Sequence, residues 1–359
     1  MKILILGGGQ LARMLALSAH PLNVKTVCID PNKDACGGDV TQLIVSELDQ
    51  IDAILPQLAD VDAVTIETEN IPVTTAQAFS KIKPFYPSIE ALAITQDRMK
   101  EKTFVASLQI PTARFAAATT LDELQHAVEQ FDLPVVVKTC RFGYDGKGQA
   151  VIRNANEVET VWRQLASDNL IVESFVNFTR EVSLISVRDK AGNMVFYPLV
   201  ENVHQEGILR SSTAPYQDAK LQQLAQDYAA KIMQKLNYVG VMTIEFFQVG
   251  EQLLVNEIAP RVHNSGHWTI EGAETSQFAN HIRAIAGIPL GSTEPIGFSY
   301  MHNCIGDMPA MNGCMQIPGL YYHAYNKAPR DKRKVGHITI VAKDSKTLQD
   351  SKAELLKKI

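Results

Sequence analysis

Two glutamates, Glu245 and Glu257, flank the Gly250-Glu251 turn of the segment TIEFFQVGEQLLVNEIAPRVHNSGHWT. Read as equidistant from that turn, they are expected by period-two alternation to share one face of a hairpin. Like charges opposed across a sheet are destabilising, and the neighbouring runs TI, FF, LLV and IAP are apolar. Carboxylates set in such strands need a partner, and a divalent cation that also grips phosphates would supply one. Arg261, His263, Asn264, Ser265 and His267 crowd the positions that follow.

A second group forms around Lys138, which finishes the apolar run PVVVK and leads into CRFGYDGKGQ, a loop with three glycines and a further lysine, Lys147. Glycines let backbone amides approach an anion, and two ammonium groups can neutralise adjacent phosphates. The pattern GxxxxGK[ST] is absent and the loop feeds a strand, QAVI, so the chemistry is that of a phosphate loop without a P-loop NTPase. A third group is Gly7-Gly8-Gly9-Gln10-Leu11-Ala12, which follows the first strand and opens a helix in the G-x-G-x-x-A manner, with Asp30 ending the second strand. Taken alone it suggests an NAD(P)-dependent dehydrogenase, the rival reading, although any phosphorylated ligand could use the same helix N-terminus. Glu69 and Asn70 would lie at the same crevice.

The elements that must position these groups change character along the chain. Residues 2–66 alternate strand and helix (KILIL, a helix over 10–19, KTVCID, a helix over 47–58, AVTIE), which predicts a parallel βαβ sheet. Thr95-Gln96-Asp97 caps a predicted helix over 98–107, and a boundary is expected near residue 100. From Pro111 the pattern is α+β, with helices over 121–131 and 157–166 among the strands PVVVKT, QAVI and LIVES. EVSLISVR, MVFYPLVEN and GILRSST then follow as strands, and a helix over 220–236 leads into the glutamate hairpin, which predicts an open antiparallel sheet covered on one face. After Pro289, SYMHNCIG, GHITIVA and a last helix from Leu348 predict a small β-rich module.

The chain of 359 residues, 46% hydrophobic and 20% charged, can bury a large core and accommodate two or three domains. A net charge of -5 argues against a nucleic-acid partner, because only APRDKRK concentrates basic residues. Five scattered cysteines without CxxC spacing fit a reducing cytoplasm. No apolar run approaches membrane-spanning length, and MKILILGGGQ lacks a signal-like apolar core.

In order over almost the whole chain, GGGQLARM, ENIP, QDRMKEK, KTCRFGYDGKGQ, REVSLI, YPLVENVH, YVGVMTIEFF, NEIAPRVHNSGHWTIEGAETSQF and RKVGH resemble the 5-(carboxyamino)imidazole ribonucleotide synthases, an ATP-grasp family of purine biosynthesis. NEIAPRVHNSGHWT separates this family from ATP-grasp relatives such as the formate-dependent glycinamide ribonucleotide transformylase and biotin carboxylase. The resemblance implies an ATP-grasp fold of α/β and α+β class: a Rossmann-like, substrate-binding N-terminal domain over 1–100, an ATP-grasp domain over 101–288 and a small β-rich C-terminal domain over 289–359. It implies carboxylation of 5-aminoimidazole ribonucleotide by ATP and bicarbonate through carboxyphosphate, with release of ADP and phosphate. It further implies a cytoplasmic homodimer that uses magnesium, with manganese as the alternative metal.

The same resemblance distributes the roles. ATP would lie between two antiparallel sheets, with Arg98, Lys138 and the loop of Gly143, Tyr144, Asp145, Gly146, Lys147, Gly148 and Gln149 on its phosphates. Glu173, Ser174, Phe175 and Val176 would form the hinge that reads adenine through backbone groups, Glu181 would take the ribose hydroxyls, and His204 would line the pocket. Glu245 and Glu257 would hold the metal, with Asn256 beside them. The ribonucleotide would sit near Gln10, Leu11, Glu69, Tyr144, Asp145, Arg180, Arg261, His263, Asn264, Ser265, Lys327, Arg333 and Lys334. Lys138 would draw charge from the γ-phosphate, Arg261, His263 and Lys327 would grip the intermediate, and Asp145 or His263 would accept a proton. The sequence departs from the family at Ala12 and Phe142, where glycine is usual, and at Thr68, where phenylalanine is commoner.

Overall fold

The computed structural model describes residues 1–143 and 147–359. Short apolar runs separated by turns are the mark of parallel strands buried on both faces. Here they form β1 (Lys2–Leu6), β2 (Lys25–Asp30), β3 (Gln42–Val45), β4 (Ala63–Ile66) and β5 (Phe85–Tyr86), a parallel sheet in the order β3-β2-β1-β4-β5. The edge strands β3 and β5 were not among the three expected, and both are short. Helix α1 (Gln10–Ala19) leaves the carboxyl end of β1 and buries Leu11, Met14 and Leu15. The helix expected over 47–58 is one α turn, Ile51–Ile54, followed by a 3₁₀ turn, Leu55–Leu58. Pro56 lies at the start of that second turn, where its missing N–H cannot continue the α ladder.

The second sheet is antiparallel and contains β6 (Phe115–Ala118), β7 (Val135–Thr139), β8 (Gln149–Ile152) and β9 (Leu170–Ser174) in the order β6-β9-β7-β8. Leu124, Ala127, Val128, Val158 and Val161, on helices Leu121–Gln130 and Val158–Leu165, pack with Val135, Val137, Ile152 and Val172. Alternation turns Val136 and Lys138 to the opposite face.

The third sheet contains β10 (Arg180–Arg188), β11 (Met194–Phe196), β12 (Val200–Gln205), β13 (Ile208–Ala214), β14 (Gly240–Val249), β15 (Gln252–Ala259), β16 (Phe298–Ile305), β17 (Leu320–Ala324) and β18 (Lys334–Ala342). Its order is β15-β14-β10-β12-β13-β16-β18-β17, with β11 also paired to β10. The run MVFYPLVEN, expected as one strand, is divided into β11 and β12 around Pro198, which has no N–H for a ladder. Strands beyond residue 289 extend this same sheet, because β16 pairs directly with β13. Helix Ala219–Lys235 buries Leu221, Ala225, Ala229 and Ile232 against one face. Helix Gln277–Ala286 and α1 share a core with β1, β10 and β14, joining the parallel sheet to the antiparallel one.

The glutamate hairpin carries a correction. Val249 pairs with Gln252, so an unbroken register would oppose Glu245 to Asn256. A β-bulge shifts the pairing between Glu245 and Phe246 and sets Glu245 opposite Glu257 instead. The distances from the turn therefore differ by one residue, and the extra residue on β15, not simple alternation, brings the two acids together.

Candidate active site

The second and third sheets enclose a cleft of about 580 Å³ whose walls include Lys138, Glu173, Glu245, Glu257, Arg261 and His263. On the hairpin, Glu245 and Phe247 are two apart and face the cleft together, as alternation requires, and the bulge brings both Asn256 and Glu257 to the same wall. Burial pushes the Glu245 carboxyl up to about 7, with the His204 ring opposing the shift and the Glu257 charge adding to it. Behind them, Glu101 accepts a hydrogen bond from Ile258 N at 3.2 Å, and burial together with Glu257 pushes its carboxyl up to about 8. An acidic pair this crowded fits a divalent cation, which would relieve the repulsion and add oxygen ligands from phosphate. Arg98 stands at the edge of the pair, its Nη2 3.6 Å from Glu257 and 3.3 Å from Gly143 O, to which it donates.

Lys138 closes the opposite wall. Its ammonium is 2.5 Å from Glu173 Oε2, and the second carboxylate oxygen lies 3.2 Å from Lys102. Lys102, 2% exposed, also donates to Thr112 Oγ1 at 2.9 Å and to Val255 O at 3.0 Å. Burial would raise the Glu173 carboxyl, but Lys102 and Lys138 outweigh it and hold the group down at about 2. The Glu173 side chain thus anchors two lysines, so any reading of adenine at this position falls to its backbone.

At the other end the cleft becomes apolar, with Val136, Val151, Leu209 and the ring of Phe247 stacked on Phe178 at 4.7 Å. Glu181 and His204 meet at 2.8 Å on its rim. Burial disfavours the imidazolium there, yet the bond to Glu181 and the charge of Glu245 raise its pKa above the ordinary value.

The chain leaving β15 builds the third side. Arg261 makes a two-pronged ion pair with Glu69, which stands beyond β4 in the parallel sheet. His263 Nε2 is 3.4 Å from Glu245. Its Nδ1 receives the Ser265 backbone N–H at 3.3 Å and faces Ser265 Oγ at 2.9 Å. Ser183 donates to Ser265, Asn202 to Ser183 and Ser212 to Asn202, so the Ser265 hydroxyl proton is left for Nδ1. The ring proton consequently sits on Nε2, aimed at Glu245, and burial followed by the Arg261 charge keeps the ring neutral, well below its usual pKa. His263 is arranged as a donor rather than as a free base. Asn264 also lines the cleft, and both its amide atoms are buried without a partner, as expected of a group kept for a ligand.

Most of the expected residues meet at this cleft: Gln10 and Leu11 from α1, Glu69 from the segment after β4, Gly143, Lys147 and Gln149 from the glycine loop, Ser174, Phe175 and Val176 from the hinge, and Lys334 from β18. Others do not reach its wall. Arg180 lies 3.6 Å from Glu201 with its guanidinium over Tyr216, and Ser265 is fully buried beneath His263. Arg333 donates to Ala328 O at 3.1 Å, Lys327 donates to Gln10 Oε1, and Gly148 O accepts from Thr139 N at 2.8 Å. Tyr144, Asp145 and Gly146 lie outside the described residues. Glu67, Glu101, Lys102, Phe178 and Phe247 were missed. Phe247 follows Glu245 by two on β14, so alternation held the signal for it.

The glycine turn after β1 overturns the dehydrogenase alternative. Gly9 N and Ala12 N donate to the Glu67 carboxylate at 2.9 and 3.2 Å, and Gly8 N donates to Asp30 at 2.8 Å. The amides that would receive a dinucleotide pyrophosphate already hold the chain's own acids.

A nucleotide-sized cleft between two antiparallel sheets, with lysines on one wall and paired acids on the other, defines an ATP-grasp ligase. Residues 1–96 match the ribonucleotide synthetase preATP-grasp domain, 103–278 the ATP-grasp domain and 299–351 the phosphoribosylaminoimidazole carboxylase C-terminal domain. The chain is 47% identical over 356 residues to the N5-carboxyaminoimidazole ribonucleotide synthase of Pseudomonas aeruginosa, covering 99% of this chain and 98% of that one. The Thermus thermophilus synthetase structure superposes with a TM-score of 0.96 at 47% identity, covering 99% of this chain and 98% of that one. An Aspergillus clavatus synthase, in complex with ADP and 5-aminoimidazole ribonucleotide, gives a TM-score of 0.88 at 28% identity over 99% and 98% of the two chains. The chain belongs to the N5-carboxyaminoimidazole ribonucleotide synthase family.

Proposed function

We propose that this enzyme uses ATP and bicarbonate to carboxylate the exocyclic amine of 5-aminoimidazole ribonucleotide, forming N5-carboxyaminoimidazole ribonucleotide, ADP and phosphate in purine biosynthesis. The observation that carries the assignment of roles is the opposition of Glu245 and Glu257 across the hairpin, with Arg98 at the edge of the pair and Lys138 on the facing wall. These two carboxylates, with Asn256 beside them, would hold magnesium, which would supply neutralising charge to the phosphates. Manganese is the alternative metal.

Bicarbonate oxygen attacks the γ-phosphorus and the bond to the β-phosphate oxygen breaks, giving carboxyphosphate and ADP. The amine nitrogen then attacks either the carboxyl carbon of carboxyphosphate, with phosphate departing, or the carbon dioxide formed when carboxyphosphate releases phosphate. Lys138, fixed by Glu173, and Arg98 stabilise the charge that moves during the first transfer. His263 donates through Nε2–H and Arg261 presents its guanidinium at the same end of the cleft, where both would steady the carboxylated intermediate. Gln10, Leu11, Glu69 and Asn264 would hold the ribonucleotide, Lys334 would supply a cation at the cleft wall, and by family resemblance Lys327 and Arg333 would add cations for its phosphate. Tyr144 and Asp145, from the loop, are assigned to the same substrate by family resemblance, and with His263 arranged as a donor Asp145 remains the candidate proton acceptor. Family resemblance also supports a cytoplasmic homodimer, which light scattering on the purified protein would check.

The test is a coupled ATPase assay with bicarbonate and the ribonucleotide, on the wild type and on Glu257→Gln. Turnover that requires both co-substrates and falls at least about a hundredfold in the variant is expected. Phosphate release indifferent to bicarbonate and ribonucleotide would overturn the reading.

A further inference from the structure

The glycine turn at the start of α1 has the form of an anion site, and the anion in it is a side chain. Glu67 extends from the carboxyl end of β4, and its two oxygens accept from Gly9 N and Ala12 N. The fit leaves no slack: a Cβ built on Gly9 would lie 2.7 Å from Glu67 Oε1, and one on Gly7, whose φ is +100, would lie 2.4 Å from Glu67 Cγ. The glycines are therefore explained by the close approach of this carboxylate, without a bound nucleotide. What the carboxylate fixes is the first turn of α1, where Gln10 and Leu11 face the cleft. Gln10 Oε1 in turn receives Lys327, from the loop between β17 and β18, whose ammonium lies 5.8 Å from the ring of Tyr325.

We propose that Glu67 is a positioning residue that takes the place of a ligand phosphate at the N-terminus of α1 and, by fixing Gln10 and through it Lys327, sets the ribonucleotide end of the active site. The proposal rests on the reading of that end as the ribonucleotide subsite. In this arrangement the anion position of a dinucleotide-like turn is filled from within.

The experiment compares wild type, Glu67→Gln and Glu67→Ala, with sodium formate as the probe. Glu67→Gln keeps the shape but brings an amide N–H against a backbone N–H, and a rise of about tenfold in KM for the ribonucleotide is expected while ADP affinity stays within about twofold. In Glu67→Ala, millimolar formate is expected to restore ribonucleotide KM saturably and to raise the melting temperature, with no such effect on wild type. An unchanged ribonucleotide KM in Glu67→Gln, or a folded Glu67→Ala whose KM and melting temperature ignore formate, would overturn the proposal. If Glu67→Ala does not fold, Glu67→Gln decides alone. Failure of the underlying functional reading would show separately, as wild type that does not turn over the ribonucleotide; the formate-dependent melting shift of Glu67→Ala would still decide the anion-site assignment.

Discussion

Two glycine-rich turns follow apolar strands in this protein, one after β1 and one after β7, and they keep opposite company. At the first, the amides of Gly8, Gly9 and Ala12 point at Asp30 and Glu67. At the second, Gly143 O receives Arg98, and Lys138 and Lys147 line the same cleft. Glycine gives access to backbone in both places. The charge of the neighbouring side chains differs: an acid fills the first turn, and cations surround the second.

The sharpest way to break this contrast is to remove the acid that organises the cationic loop. Glu173→Gln leaves the ammoniums of Lys102 and Lys138 without their shared partner, and a loss of about 3–5 kcal/mol in denaturant unfolding is expected. The wild-type contribution has a defined pH window. Because the folded carboxyl is held at about 2, below its ordinary 4.5, its stabilisation is complete above 4.5 and fades as pH falls toward 2. Over that window the stability difference between wild type and Glu173→Gln should narrow as pH falls, measured by denaturant unfolding at each pH.

Removing the cation itself comes next. Lys138→Met is expected to lower kcat by about 10²–10³ and, because Glu173 keeps Lys102, to lower the melting temperature less than Glu173→Gln does, measured by the coupled assay and a thermal melt. On the acid-filled side, Gly9→Ala brings a methyl to 2.7 Å from Glu67 and should cost about 1–3 kcal/mol. Combined with Glu67→Ala, most of that cost should vanish, and a double-mutant cycle with no coupling would refute the contact. The smallest effect is expected at Phe142, which has φ +61 and 70% exposure and carries the Arg141 guanidinium 5.3 Å from its ring. Phe142→Gly removes a left-handed side-chain strain of about 1–2 kcal/mol but adds unfolded-state entropy of similar size. Its melting temperature should therefore barely move, and a larger drop would show that the cation-ring contact matters.

Much of the site could be read from the sequence because its charges interrupt apolar strands. Lys138 at the end of PVVVK, the acids among TI, FF and LLV, and the polar run after Pro260 announce themselves in this way. The bulge could not be read, since an extra backbone residue leaves no mark in side-chain type; the two glutamates do oppose each other, but through the bulge and not through equal distances from the turn. Glu67 escaped for a different reason: a glycine pattern specifies that something approaches the backbone but not that a residue far along the chain does so. Lys102 and Glu101 sit in the polar-looking run RMKEK, and only the packing of that helix against β15 shows them to be buried. The parallel sheet was foreseen in its central strands, where apolar runs are strong, and missed at its edges, where two to four residues carry too little pattern.

The pairing of β13 with β16 has a practical consequence for anyone dividing this protein. A fragment ending near residue 289 would carry β13 as a bare border, its row of unpaired amides and carbonyls offered to any passing strand, and such fragments should self-associate. The same fragment would also lack Lys334, a cleft residue carried by a strand two places further along the ladder.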